Sequence, residues 1–149
     1  MSAALFDLAF PLVAPFWALM ILAPGWRWTD RIAASPLIAL PALAVYTALV
    51  AGHLPELWAT MSSPDLGALR EFAGSAWGAS AIWAQVLAWD LLIGAWVYRE
   101  GRRAGAHPLL MGPLLLLTIV LSPFGFALFL VVRAVCDARD RSPSVVTDR

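Results

Sequence analysis

One acid stands inside an apolar stretch. Asp90 lies within the run Ala76 to Tyr98, AWGASAIWAQVLAWDLLIGAWVY, about 12 Å along a helix axis from Tyr98. An aspartate is too short to snorkel that far, and an acid at a bilayer centre costs roughly 2.5–3.5 kcal/mol on insertion scales. Such a group faces the interior of a bundle. There it either bonds a neighbouring helix, with Thr118 or Ser122 as partners, or acts as an acid on a lipophilic molecule. An interhelical bond is worth about 0.6 kcal/mol on average, less than the insertion cost, so the chemical reading carries weight.

Helical geometry sorts the neighbours. At about 100° per residue, Trp83, Val86, Gly94 and Val97 share the Asp90 face, whereas Gln85, Trp89 and Trp96 lie on another. Gly94 lets a neighbouring backbone or a ligand come close. Candidate helpers in proton transfer are Gln85, Tyr46, His53 and Glu100. His53 reads equally as a wetted residue at a span end. Trp83, Trp89, Trp96 and Phe124, with Phe126 and Phe129, can line an apolar slot, as they can simply pack helices, and Thr118 and Ser122 add hydroxyls.

These residues need a membrane bundle to hold them. The 149-residue chain is 61% hydrophobic and 13% charged, with mean hydropathy +0.77. A soluble domain of that size cannot bury so much apolar surface. Four spans are predicted, over about 3–23, 36–54, 76–98 and 108–132, making one all-α four-helix domain over 1–136 with a polar, disordered tail over 137–149. Pro24-Gly25 ends the first span, and Trp26 and Trp28 mark an interface beside Arg27. Ser35 caps Pro36. In the longest connection, SPDLGALREF reads as a short helix, capped by Ser63 with Pro64 at its first position, whose stripe of Leu66, Leu69 and Phe72 lies on the membrane surface or over the bundle. Pro113 and Pro123 bend the fourth span.

Four spans put both termini on one side. Arginines then divide evenly: Arg27, Arg31, Arg99, Arg102 and Arg103 against Arg70, Arg133, Arg139, Arg141 and Arg149. The first set, close to span ends, is read as cytoplasmic in a bacterial cytoplasmic membrane.

Several function classes drop out. Zero net charge gives no pull towards nucleic acid. One cysteine and two histidines make no metal site, and no phosphate loop, HExxH or nucleophile elbow occurs. Chemistry here is therefore expected to be acid–base work without metal or cofactor.

Pro15-Phe16-Trp17, Leu19-Met20, Pro24-x-Trp26-x-x-Thr29 and Ser35 resemble the opening of the abscisic-acid-deficient-four-like family. Trp83-x-x-x-Leu87-x-x-Asp90-Leu91-x-x-Gly94-x-Trp96 resembles its third span, and Pro123-x-Gly125 followed by Arg133 its fourth. Plant members are needed to make neoxanthin from violaxanthin, an epoxide-to-allene isomerisation. The resemblance implies a carotenoid- or isoprenoid-related membrane protein with a lipophilic polyene substrate. It also implies a histidine two positions after the third-span tryptophan, where this chain has Gln85. Three functions follow as alternatives: an isomerase using Asp90; a non-catalytic pigment- or lipid-binding subunit supporting a carotenoid-pathway enzyme; and a small proton-coupled transporter, which would need inverted repeats.

Overall fold

The computed structural model describes residues 2–140, with side chains over 2–135, and is helical throughout these. The tail beyond 140 lies outside the described residues. Eight α-helices follow in order: α1 Ser2–Leu22, α2 Arg27–Ala34, α3 Leu40–Val50 after a 3-10 turn at Pro36–Ala39, α4 Leu54–Ser62, α5 Leu66–Gly74, α6 Ala76–Arg103, α7 Pro108–Val120 and α8 Ser122–Asp140.

α6 is the axis, with α1, α3, α7 and α8 packed around it. Its start is set by Ser75, whose Oγ accepts from Gly78 N at 3.0 Å. α1 runs parallel to it. Ser2 meets Ser80, Phe6 meets Trp83 at 5.7 Å between ring centroids, and Pro24 meets Tyr98. Trp17 packs against Gly94, where any β-carbon would strike the indole. The close approach expected at Gly94 is therefore made by a tryptophan of α1. α3 runs the opposite way, ending where His53 stacks on Trp77 at 4.2 Å.

α1 and α6 are each long and apolar enough to cross a membrane, and α2 with Pro36–Val50 forms a third such unit bent by 79°. The stretch expected as a plain connection after Pro24 is thus a helix, α2. Its Arg27, Trp28 and Arg31 are exposed while Thr29 and Ala33 are buried. Ser35 Oγ accepts from Leu37 N at 3.3 Å, the cap foreseen for Pro36.

The long connection holds two helices. α4 was not anticipated. α5 is capped by Asp65, whose Oδ2 accepts from Ala68 N at 3.1 Å, and not by Ser63. Asp65 sits one residue before the helix with an extended backbone, and its short carboxylate reaches the third free N–H. Phe72 of α5 packs edge-on to Trp77 at 5.0 Å.

The largest departure is 108–132, expected as one bent span. The chain breaks at Leu121, with φ −139° and ψ 67°, and α8 folds back along α7. Gly125 lies so close to Thr118 that a β-carbon there would collide with the threonine's backbone and hydroxyl. In a continuous helix residues seven apart are about 10 Å distant. Three further pairings fix the direction. Met111 of α7 touches Gly101, Trp96 meets Phe126 and Phe129 of α8 at 5.5 and 5.4 Å, and Arg133 pairs with Glu100 at 3.1 Å. α7 enters from the Arg103 end of α6, turns level with Asp90, and α8 returns to that same end. Pro123 supplies the stop, because it removes an N–H from the ladder, and Gly125 allows the close return.

Candidate functional site

The fold-back puts the hairpin turn beside Asp90. The acid lines two separate cavities that open at the bundle surface. The first, about 480 Å³, lies towards α3, α4 and α5 and includes Tyr46, Leu57, Phe72, Gln85 and Trp89. The second, about 540 Å³, lies towards the hairpin turn and includes Ile93, Leu121, Ser122, Pro123 and Phe126. Val86 and Asp90 are the wall common to both.

Position on α6 explains the arrangement. Leu87, Leu91 and Gly94 fill the buried interior, and Trp89 is 58% exposed. Asp90 stands on the edge between these faces, half buried. Gln85 shares the first cavity with it although the two side chains leave the helix in different directions, because that cavity wraps round the edge of α6. Tyr46 reaches the same space from α3, as an inward-pointing residue would.

Ser122 faces Asp90 in the second cavity. It is 8% exposed, and its Oγ is the one buried side-chain oxygen or nitrogen among the described residues without a hydrogen bond of standard geometry. The Ser122 hydroxyl is thus the neighbouring-helix partner expected for Asp90, close enough to act on its carboxyl though outside standard hydrogen-bond geometry. Thr118 is not available for this. Its Oγ1 donates to Leu114 O at 2.9 Å, within its own helix, and it is fully buried against Gly125.

Other expected site residues stand elsewhere. Glu100 is about 15 Å along α6 from Asp90 and is tied to Arg103 at 3.3 Å and Arg133 at 3.1 Å. His53 Nδ1 lies 3.2 Å from Leu49 O, and the ring is stacked on Trp77 at the opposite end of α6. Trp83 packs on Phe6 of α1 and lines neither Asp90 cavity. Trp96 is held by Phe126 and Phe129 beside α2 and Arg99. Phe124 is 67% exposed and points away from the slot; Phe126, two positions on, takes its place. On a helix at the bundle rim, residues two apart face nearly opposite ways.

A polar cluster at the Arg103 end was not foreseen. The Tyr98 hydroxyl lies 2.7 Å from Pro24 O and 2.9 Å from Asp30 Oδ1, two acceptors for one proton. Arg102 Nε pairs with Asp30 at 3.4 Å, and its guanidinium also donates to Pro24 O. Buried Thr29 donates to Ala23 O at 2.9 Å. The cluster clamps the α1–α2 corner to α6 beside a cavity of about 270 Å³ floored by Met20 and Met111. The Tyr98-x-x-x-Arg102 spacing was its only sequence signal, since residues four apart share a helix face.

Among the described residues, then, the molecule is a helical membrane protein with one acid between two apolar recesses. Comparison by family gives it a place: the ABA DEFICIENT 4-like family model matches residues 4–129, and the chain belongs to this ABA4-like family. The match spans the bundle from α1 to Phe129, the residue that closes on Trp96. Membership fits the carotenoid-related membrane role that the resemblance implies. No curated protein and no solved structure matches the chain.

Proposed function

We propose that the chain holds a polyene or related isoprenoid against Asp90 and isomerises it by acid–base chemistry. The observation that carries this is the shared wall: one carboxyl stands between two apolar recesses, with Tyr46 and Gln85 on one side and Ser122 on the other. A long, flat, lipophilic molecule can lie along the α6 edge from one recess to the other and present an oxygen to Asp90.

The step balances as an isomerisation. A protonated Asp90 gives its proton to an epoxide oxygen, the C–O bond opens, and a proton leaves the adjacent carbon for a base. That base is the Asp90 carboxylate left by the first step, reached through the Tyr46 hydroxyl or a water beside Gln85 acting as a relay, so the proton returns to Asp90 and the site is reset. Nothing is oxidised or reduced overall, so the route calls for no redox cofactor.

In the membrane arrangement we propose, α1, α3 with the turn before it, and α6 cross, α2 lies along the interface, and the α7–α8 hairpin enters from the Arg103 end and returns. This replaces four crossings with three and a re-entrant pair, in a bacterial cytoplasmic membrane.

A second reading draws on a specific feature. Among the described residues lining the two recesses, Asp90 and Tyr46 are the sole ionisable groups, while His53 and Glu100 are engaged elsewhere. A site so poor in bases also suits a non-catalytic pigment binder that supports a carotenoid-pathway enzyme. The test is the carotenoid profile of the source organism with the gene deleted, then restored as wild type or as Asp90→Asn. Loss of one pigment, accumulation of its precursor and rescue by wild type alone support the isomerase. Rescue by both supports the binder. An unchanged profile on deletion rejects both.

A further inference from the structure

The fold-back of α8 changes the distribution of charge. With Arg133 paired to Glu100, six arginines among the residues with described side chains stand at one end of the bundle: Arg27, Arg31, Arg99, Arg102, Arg103 and Arg133. Two acids, Asp30 and Glu100, accompany them. At the other end Arg70 stands among Asp7, Glu56, Asp65 and Glu71. One end is therefore strongly positive and the other negative. Of the arginines expected at the other end, Arg133 stands here, while Arg139, Arg141 and Arg149 lie outside the described side chains.

Three of the six are uncommitted. Arg102 is tied to Asp30, and Arg103 and Arg133 to Glu100. Arg27, Arg31 and Arg99 make no ion pair among the described residues. Arg27 and Arg31 lie over the face of exposed Trp28, at 5.8 and 5.1 Å. Arg99 borders a recess of about 180 Å³ formed with Ser35, Pro36 and Trp96 at the 79° corner between α2 and α3. A tryptophan at headgroup level with guanidiniums on its face is the chemistry of a membrane interface, and α2, bent away from the direction of α3, lies along that level.

We infer that this face binds anionic phospholipid headgroups, with Arg27, Arg31 and Arg99 as the contacts, and that it sits in the anionic cytoplasmic leaflet. The argument is charge complementarity. Basic residues beside a span are drawn to an anionic surface, and uncommitted guanidiniums fit phosphate oxygens bidentately. The inference does not depend on Asp90 chemistry. It stands or fails with the lipid response, whatever happens to pigments.

The test uses the full chain purified in a neutral detergent, with thermal unfolding as readout. Dioctanoyl phosphatidylglycerol should raise the midpoint saturably, by about 5 °C at tenfold excess over its Kd. Dioctanoyl phosphatidylcholine and inorganic phosphate should not. An Arg31→Gln/Arg99→Gln double variant should lose most of the shift, and Arg70→Gln should keep it. If the double variant does not fold, wild type in 0.5 M salt replaces it, because screening should remove the response. Equal shifts from phosphatidylcholine, a full shift from phosphate alone, or a response that survives both the double substitution and high salt would overturn the inference.

Discussion

Arg133 meets Glu100 at 3.1 Å, near the same end of the bundle as Tyr98 and Pro24. The pair fixes the path of the last helix, because a span crossing from Pro108 would have carried Arg133 to the far side. The proposed cytoplasmic placement of this end has a direct test. In a Cys136→Ser background, Ser63→Cys should react with a membrane-impermeant maleimide from outside intact cells. Ala104→Cys should react only after lysis. Labelling of both from outside would break the proposed arrangement.

The turn of the hairpin rests on the absence of a side chain at residue 125. Gly125→Ala places a methyl against Thr118 backbone atoms, which cannot give way as a flexible side chain can. We expect about 1–3 kcal/mol of destabilisation, read as a lower unfolding midpoint. The second recess, which the turn walls, should widen or collapse with it. Gly112→Ala, which meets open space, is the control.

Gly94→Ala tests the α1–α6 contact in the same way. Its methyl would meet the Trp17 ring, and Trp17 is buried. A loss of similar size is expected, and Trp17→Phe in the same chain should recover part of it. The absence of recovery would mean that the strain lies elsewhere.

Tyr98→Phe removes the hydroxyl shared by Pro24 O and Asp30 while keeping the ring. The expected cost is about 1–2 kcal/mol in unfolding. Pigment conversion should be unchanged at permissive temperature, because Tyr98 borders neither Asp90 recess.

Gln85→His puts an imidazole into the first recess with Asp90. Neutral imidazole accepts a proton, which an amide does not do near neutral pH. If base strength limits turnover, the variant should convert faster than wild type. Its rate should rise with pH through roughly 6–7, the range in which histidine loses its charge. A flat profile at wild-type rate would show that the base is not limiting.

The length and composition of α1 and α6 were readable because a run of apolar residues of that length has one common fate. The hairpin was not readable on the same grounds. A stretch such as PLLMGPLLLLTIVLSPFGFALFLVV has the same hydropathy whether it crosses or returns, and only contacts decide. Its local signs, Pro123 and Gly125, were visible but read as a bend. Asp90 was singled out because an acid inside an apolar stretch is costly wherever it lies. Phe124 was misplaced because an aromatic ring facing lipid costs little, so residue type does not fix its direction. His53 and Glu100 were drawn in by chemistry alone, and the fold assigns each to an end of α6.

The corner at Ser35 and the fold-back at Leu121 have a joint effect on shape. On the Arg103 side of Asp90, five helices run through the molecule, with α2 laid across them. On the Ser2 side α1, α3 and α6 are joined by the short α4 and α5, which border the first recess. The helices are therefore shared unevenly between the two sides of Asp90, with a hairpin on one and short connecting helices on the other. Anything that reaches Asp90 through the first recess passes between connecting helices, whereas anything that reaches it through the second passes the fixed hairpin turn.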